Sequence, residues 1–306
     1  MLISRSFHKL PVMPTATRPL SVLISGASSG IGLCTALHLA ADGHYVFAGY
    51  RSDSSRVDLE SFAKARGLST LFPVRLDVLS EASVREAQAE IRRRLSELVQ
   101  NRPLDALINN AGIARGGPIE ATALDVWREQ FETNVFAVIR LTQLWMKDLR
   151  AAKGRIVMIS SVSGRVASPL LGPYAASKFA LEAISDSLRR EVMGMGVHVS
   201  VIEPGPIATP IWEKGQSESE RQKSQLSDEL RPVYQRMIDR MDELIKEVSK
   251  TAVPPEEVAR LIEHALISAK PRLRYPVGRG TKLQLWMARH FGEGVMDQLL
   301  AQRIKL

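Results

Sequence analysis

Tyr174 and Lys178 stand four residues apart in the stretch Gly172-Pro173-Tyr174-Ala175-Ala176-Ser177-Lys178. Gly172-Pro173 marks a turn and the alanine-rich run after it reads as a helix, so the phenol and the ammonium share one helical face. Ser161 lies just beyond Arg155–Ser160, a short apolar run that reads as a buried strand. A hydroxyl, a phenol and an ammonium converging at a strand end can pass a proton to or from a carbonyl oxygen. Free tyrosine titrates at about 10 and is a poor base at neutrality. A cation one helical turn away favours the phenolate, and so would a positively charged ring beside it. The pKa then approaches the working pH, where acid–base catalysis is most effective. Ser161 would hydrogen-bond the reacting oxygen as charge develops on it. Y-x-x-x-K is common by chance, and a satisfied buried tyrosine beside a solvated lysine is the plainer explanation of the pair alone.

A second run with chemical potential is Gly26-Ala27-Ser28-Ser29-Gly30-Ile31-Gly32, set between an apolar strand at Leu20–Ser25 and a helix reaching about Asp42. Glycines let a backbone approach a pyrophosphate, and the free N–H groups of a helix N-terminus bind it. The spacing is G-x-x-x-G-x-G rather than G-x-G-x-x-G, and a plain tight turn is the alternative. The next strand, His44–Gly49, runs into Tyr50-Arg51-Ser52 with no acid before Asp53. An acid here would hold a ribose 2′-hydroxyl, whereas an arginine accommodates a 2′-phosphate. Arg51 therefore favours NADP, with NAD left open; otherwise it is an exposed surface arginine. A third strand, Leu71–Leu76, closes on Asp77-Val78. The Asp77 carboxylate either accepts from an adenine amino group or caps the following helix, as Ser80 also could. A fourth, Leu104–Ile108, precedes Asn109-Asn110-Ala111-Gly112.

The elements around these segments alternate. Helices are expected at Ser54–Arg66, at Glu81–Gln100 with Val84, Ala87, Ile91, Leu95 and Leu98 inward, and at about Ala123–Arg150. Asn134 falls inside the last of these, where asparagine is mildly unfavourable. The strand His198–Glu203 leads into Pro204-Gly205-Pro206-Ile207-Ala208-Thr209. The order predicts an α/β, doubly wound parallel sheet with ligands at the carboxyl ends of its strands. The glycine turn, Ser161 and the Pro-Gly segment all fall there. Residues 1–19 read as a flexible tail, with an organellar targeting segment as the alternative. Residues 210–250 break the alternation: after a polar stretch, Leu226, Leu230, Val233, Met237, Met241, Leu244 and Val248 recur at helical spacing. They predict a helical lid with its apolar face over the substrate. A helix from Pro254 to about Lys270 and a strand at Arg274–Val277 complete a domain over 20–280, and 281–306 form a helical extension.

Composition narrows the classes. Cys34 is the only cysteine in 306 residues, which rules out an intrachain disulfide and fits a reducing, cytoplasmic setting. The six histidines show no metal-ligand spacing, so no metal is expected. The net charge of +8 resides at the two ends, +3 in residues 1–20 and +6 in 270–306, so the body does not read as a nucleic-acid binder. The basic C-terminal helix, with Trp286 and Phe291, is read first as a packing or self-association face of a homo-oligomer, and second as a peripheral membrane contact.

Taken together, Gly26-x-x-x-Gly30-x-Gly32, Asn109-Asn110-Ala111-Gly112, Ser161, Tyr174-x-x-x-Lys178 and Pro204-Gly205-x-x-x-Thr209 appear in the order that resembles the short-chain dehydrogenases/reductases. The resemblance covers roughly residues 20–280 and implies a Rossmann-type sheet. It implies Tyr174 as the acid/base, with Lys178 lowering its pKa and binding the nicotinamide ribose. Ser161 would orient the substrate carbonyl and Asn134 would hold a water in a proton relay. Asp77 would meet adenine, Asn109 the adenosine side, and Pro204, Ile207 and Thr209 the nicotinamide carboxamide. Ser25 stands where the family often has threonine, which keeps the hydroxyl. The YVFAGYR and EPGPIATPIW segments and the long tail look like the retinol, hydroxysteroid and 3-hydroxybutyrate dehydrogenase branch. That branch implies a secondary or allylic alcohol, bulky and lipophilic, as the small-molecule substrate. The rivals are NAD-linked oxidation of a small hydroxy acid and a dinucleotide-binding regulator without turnover.

Overall fold

The computed structural model describes residues 18–100, 102–209 and 226–304. Strands β1 (Ser21–Ile24), β2 (Tyr45–Tyr50), β3 (Leu71–Arg75), β4 (Ala106–Asn109), β5 (Arg155–Ile159), β6 (His198–Pro204) and β7 (Arg274–Val277) form one parallel sheet. Their order is β3-β2-β1-β4-β5-β6-β7. β1, β4 and the last four residues of β5 are buried throughout, because helices cover both faces and no position alternates toward water. Helices α1 (Gly30–Ala41), α2 (Asp53–Ala65) and α8 (Pro255–Ile267) cover one face. Helices α3 (Glu81–Val99), α5 (Ala137–Ala152) and α6 (Gly172–Glu191) cover the other, around Phe47, Leu107 and Trp145. The chain reverses its winding between β1 and β4, and the crevice that opens at their carboxyl ends is where such sheets take ligands.

Three expectations change in the structure. The single helix expected at Ala123–Arg150 is α4 (Leu124–Phe131), one π turn (Glu132–Phe136) and α5, with Asn134 inside the π turn. Of the lid, residues 210–225 lie outside the described residues, and the rest is α7 (Arg231–Ser249). Its buried residue is Ile238, whereas Val233 is 64% exposed and Met237, Met241, Leu244 and Val248 are half-buried. The apolar stripe is thus only partly covered. The C-terminal extension is two helices, α9 (Thr281–His290) and α10 (Glu293–Ile304), broken at Phe291-Gly292. α10 has no segregated apolar face, while Leu283 and Trp286 of α9 are exposed. Residues 1–17 of the expected tail are outside the described residues. No described helix is long and apolar enough to cross a membrane.

Candidate active site

Ser161 follows β5 and caps a 3₁₀ turn, Val162–Gly164, accepting from the Ser163 N–H at 3.1 Å. Its hydroxyl also lies 3.5 Å from the Pro204 carbonyl, which ties the end of β5 to that of β6. Pro173, in the first turn of α6, removes an N–H that would have no helical partner, and Tyr174 follows it. Lys178, one turn further, is buried and donates to the Ile159 carbonyl at 2.8 Å, with its Nζ 5.8 Å from the centre of the Tyr174 ring. The three expected groups therefore meet at the carboxyl end of β5.

Their protonation differs from the expectation in one respect. Burial holds the Tyr174 phenol above its ordinary value, and a hydrogen bond with Ser161 pulls the other way without winning. Lys178 is itself pushed down to about 8 by burial, opposed by the Glu182 charge. The protein alone therefore leaves the phenol protonated. Lys178 donates to the Ile159 carbonyl rather than to the phenol, so any effect it has on Tyr174 would be through its charge. A nicotinamide dinucleotide bound in the crevice would supply the hydride donor or acceptor and, when oxidised, a positive charge that favours the phenolate.

Asn134 is placed by the π turn. Its Oδ1 accepts from the Ile113 N–H at 2.9 Å, and its Nδ2 donates to the Ile113 carbonyl at 3.0 Å and to Ser177 Oγ at 3.1 Å. The side chain pairs with a backbone as a strand would, which explains an asparagine at a position that a regular helix disfavours. The side chain is thereby committed to Ile113 and Ser177. Gln130, one turn earlier, repeats the pattern: it accepts from Arg115 N–H and donates to Ile113 and Ser177. Gln130 and Ser177, both fully buried, had no motif to announce them. The loop that they brace continues to Gly116, where an added Cβ would lie 2.3 Å from the Leu170 carbonyl, and Gly117 N–H donates to that same oxygen at 2.7 Å. Leu170 sits at φ 63°, a left-handed conformation strained for leucine, three residues before Pro173.

The dinucleotide cleft fits its group. Ser29 precedes α1 without a side-chain cap, so the first N–H groups of the helix, at Gly30, Ile31 and Gly32, are free for phosphate oxygens. Gly26 has φ +65°, and a Cβ there would lie 2.9 Å from Ala111 Cα; at Gly32 a Cβ would lie 2.2 Å from the Gly26 carbonyl. A Cβ on Gly30 would lie 3.3 Å from the Thr209 side chain, so the glycine turn and the Pro204–Thr209 segment form facing walls. Ile207 is anchored beneath them by the pairing of its neighbours with Val253. Ser28 is half-buried and Ser29 exposed on the turn itself. Ser25 Oγ accepts from the N–H groups of Asn110 and Ala111 at 3.1 Å, the task for which a hydroxyl is kept.

Arg51 is exposed at the carboxyl end of β2 and makes no hydrogen bond or ion pair among the described residues. Beside it Ser52 caps α2 and clusters with Ser54 and Ser55. Asp77 is half-buried; its Oδ1 accepts from the Leu79 N–H at 3.0 Å, and Ser80 rather than Asp77 caps α3. Val78 is buried and its carbonyl accepts from Arg140.

Asn109 departs from its expected place. Its side chain is fully buried against α5 and β5, donating to Thr142 Oγ1 at 3.1 Å and to Met158 Sδ at 3.4 Å. Only its backbone could meet adenosine. Asn110 faces the glycine turn instead, donating to the Ser25 and Gly26 carbonyls at 3.0 and 2.8 Å. Away from the cleft, His38, Asp42 and Glu263 bring ligand atoms within 4.8 Å of one another, and His38 and Asp42 of this cluster stand at i,i+4 spacing at the C-terminal end of α1. Its geometry is that of an ion-paired histidine, with 2.9 Å between His38 Nε2 and Glu263. It lies at the far end of α1 from the site.

The crevice, the free helix terminus and the Ser-Tyr-Lys set define a nucleotide-linked oxidoreductase site. The chain belongs to the short-chain dehydrogenase/reductase family, whose sequence profile, described as short chain dehydrogenase, matches residues 21–220. Among its relatives, an NADPH-dependent 3-dehydrocapnine reductase of Ornithobacterium rhinotracheale is 37% identical, over 83% of this chain and 87% of that protein. The mitochondrial D-beta-hydroxybutyrate dehydrogenase of Mus musculus is 33% identical over 91% and 83%. Of solved structures, a short-chain dehydrogenase from Streptomyces avermitilis superposes with a TM-score of 0.71 at 25% identity, covering 93% of this chain and 95% of that one. A single-substitution variant of actinorhodin polyketide ketoreductase with NADPH gives 0.68 at 27%, covering 86% and 97%. This chain is accordingly an NAD(P)-dependent oxidoreductase acting on hydroxyl and carbonyl groups.

Proposed function

We propose that the enzyme uses NADP(H) to interconvert a bulky, lipophilic secondary or allylic alcohol and its carbonyl. Arg51 carries the coenzyme preference: a free guanidinium stands beside a serine-rich helix start where NAD-specific sites place an acid. The relative named as NADPH-dependent and the ketoreductase with NADPH support the same choice. For the substrate, the support is the apolar approach to Tyr174. Leu170, Leu171, Ile119 and Trp127 lie around the first turn of α6, where Gly172 packs on the last two, and α7 offers a half-covered apolar stripe. Tyr234 of α7 donates to Glu120 at 2.8 Å, which holds that helix against the same loop.

In this reading Ser161 and Tyr174 hydrogen-bond the substrate oxygen. Tyr174 gives it a proton on reduction and takes one on oxidation, and Lys178 keeps positive charge beside the phenol. The relationship to D-beta-hydroxybutyrate dehydrogenase supports a second reading, a small hydroxy acid with NAD. A panel of carbonyls and alcohols, assayed with both coenzymes, separates the two. Turnover confined to short hydroxy acids with NAD would sink the first proposal, and no turnover of any compound by protein that binds NADPH would favour the regulator. Tyr174→Phe should abolish turnover with NADPH affinity nearly intact.

A further inference from the structure

The helix that carries Tyr174 and Lys178 has a charged continuation that the dinucleotide cleft does not use. Tyr174, Lys178, Glu182 and Asp186 follow one another at four-residue spacing along one face of α6. Glu182 is 4% exposed. Its Oε2 accepts from Arg274 Nε and Nη2 of β7 at 3.1 and 3.0 Å, and Arg274 also lies 3.1 Å from Asp186 and 3.4 Å from Glu203 of β6. The second oxygen, Oε1, is buried without a hydrogen-bond partner among the described residues. In a low dielectric a buried carboxylate acts on neighbouring charges more strongly than one at a surface. Gly164 shows how closely this carboxylate backs the site: a Cβ there would lie 2.8 Å from Ser160 Oγ, 3.0 Å from the Lys178 carbonyl and 3.1 Å from Glu182 Cγ. A cleft of about 380 Å³, bordered by Arg165, Phe179, Asp186, Arg274, Leu285 and Arg289, opens behind it.

We propose that Glu182, locked in place by Arg274, is a positioning residue that keeps the buried Lys178 ammonium charged for the chemistry at Tyr174. The inference rests on the Tyr174–Lys178 reading above. Lys178 is buried, and among the described residues the one hydrogen bond from its Nζ is to a neutral carbonyl. Desolvation favours its uncharged form, and a nearby carboxylate is what restores the balance. The charged and titratable groups around the pair are Tyr174, Asp186, Glu203, Arg165, Arg274 and Arg289. Asp186 and Glu203 are shared with Arg274, and burial pushes Glu203 up to about 7, so it is a weaker source of negative charge near neutrality. Glu182 is the acid that raises Lys178. Removing its charge leaves desolvation unopposed, so the ammonium is lost at a lower pH.

The test is kcat/KM for carbonyl reduction with NADPH from pH 6 to 10, with the dissociation constant of NADPH followed over the same range. In Glu182→Gln the alkaline fall of kcat/KM and the alkaline rise of the NADPH dissociation constant should both move toward acid by about one pH unit, and Glu182→Asp should restore part of the shift. A role in folding alone lowers the rate at every pH and leaves the alkaline limb where it was; that outcome overturns the proposal. Arg274→Gln, which keeps the carboxylate and removes its guanidinium, should move the limb the opposite way, and an unmoved limb there overturns the proposal too. Full turnover by Tyr174→Phe would instead defeat the catalytic reading, while the NADPH titration still reports the charge on Lys178.

Discussion

Asn134 Nδ2 lies 3.1 Å from Ser177 Oγ, and this hydrogen bond joins the π turn to the helix that carries Tyr174. Ser177 in turn donates to the Tyr174 carbonyl at 2.7 Å and accepts from Gln130 at 3.2 Å. One donor and two acceptor positions are all that a serine hydroxyl has, and all are filled. The loop after β4 and the acid/base residue are therefore held in register through one buried atom.

Ser177→Ala should leave two buried amide groups short of a partner and cost about 2 kcal/mol of stability. Because Tyr174 loses its brace, kcat should fall by about tenfold, while NADPH affinity stays within about twofold. Chemical denaturation and steady-state kinetics check the two halves separately.

Gly32→Ala would drive a methyl carbon to 2.2 Å from the Gly26 carbonyl and 2.5 Å from Asn110 Nδ2. The turn cannot give way without moving the phosphate-binding N–H groups, so NADPH affinity should fall by about a hundredfold or more. Gly194→Ala, whose methyl would meet no atom within 4 Å, is the control and should be silent in the same fluorescence titration.

Arg51→Ala should reduce kcat/KM with NADPH by about ten- to a hundredfold, the worth of one charge-assisted hydrogen bond. The value with NADH should not change, since the group it contacts is absent there. Equal losses with both coenzymes would remove Arg51 from the proposed phosphate site.

His38 is held above its ordinary pKa by its hydrogen bond to Glu263, with Asp42 adding to the pull. A raised folded pKa stabilises fully below the unfolded value of about 6.5 and is lost as pH climbs through the folded one. The pair is partly exposed, so the contribution is about 0.5 kcal/mol. Urea unfolding at pH 6 and pH 9 should show that decrement in the wild type and not in His38→Gln.

Much of the site is local and therefore legible. Glycines at 26, 30 and 32 mark a turn whatever surrounds it, a β-branched run marks β5, and Tyr174 and Lys178 share a face once α6 is recognised. Asn109 and Asn110 show where this stops. They are adjacent and identical, yet alternate residues of a strand end point to opposite sides. The register of β4 against β1 aims Asn110 at the glycine turn and buries Asn109.

The linear chain, by residue type and spacing, determined a parallel sheet with a phosphate-binding turn and a Ser-Tyr-Lys set at its carboxyl edge. Tertiary structure alone decided how those groups are held and charged. Asn134 needs Ile113 before a π turn makes sense, and Ser177 needs two amides from the preceding helical segment. Glu182 meets an arginine 92 residues away. Burial, which sets the protonation of Tyr174 and Lys178, comes from several elements packed together, and no window of sequence contains it.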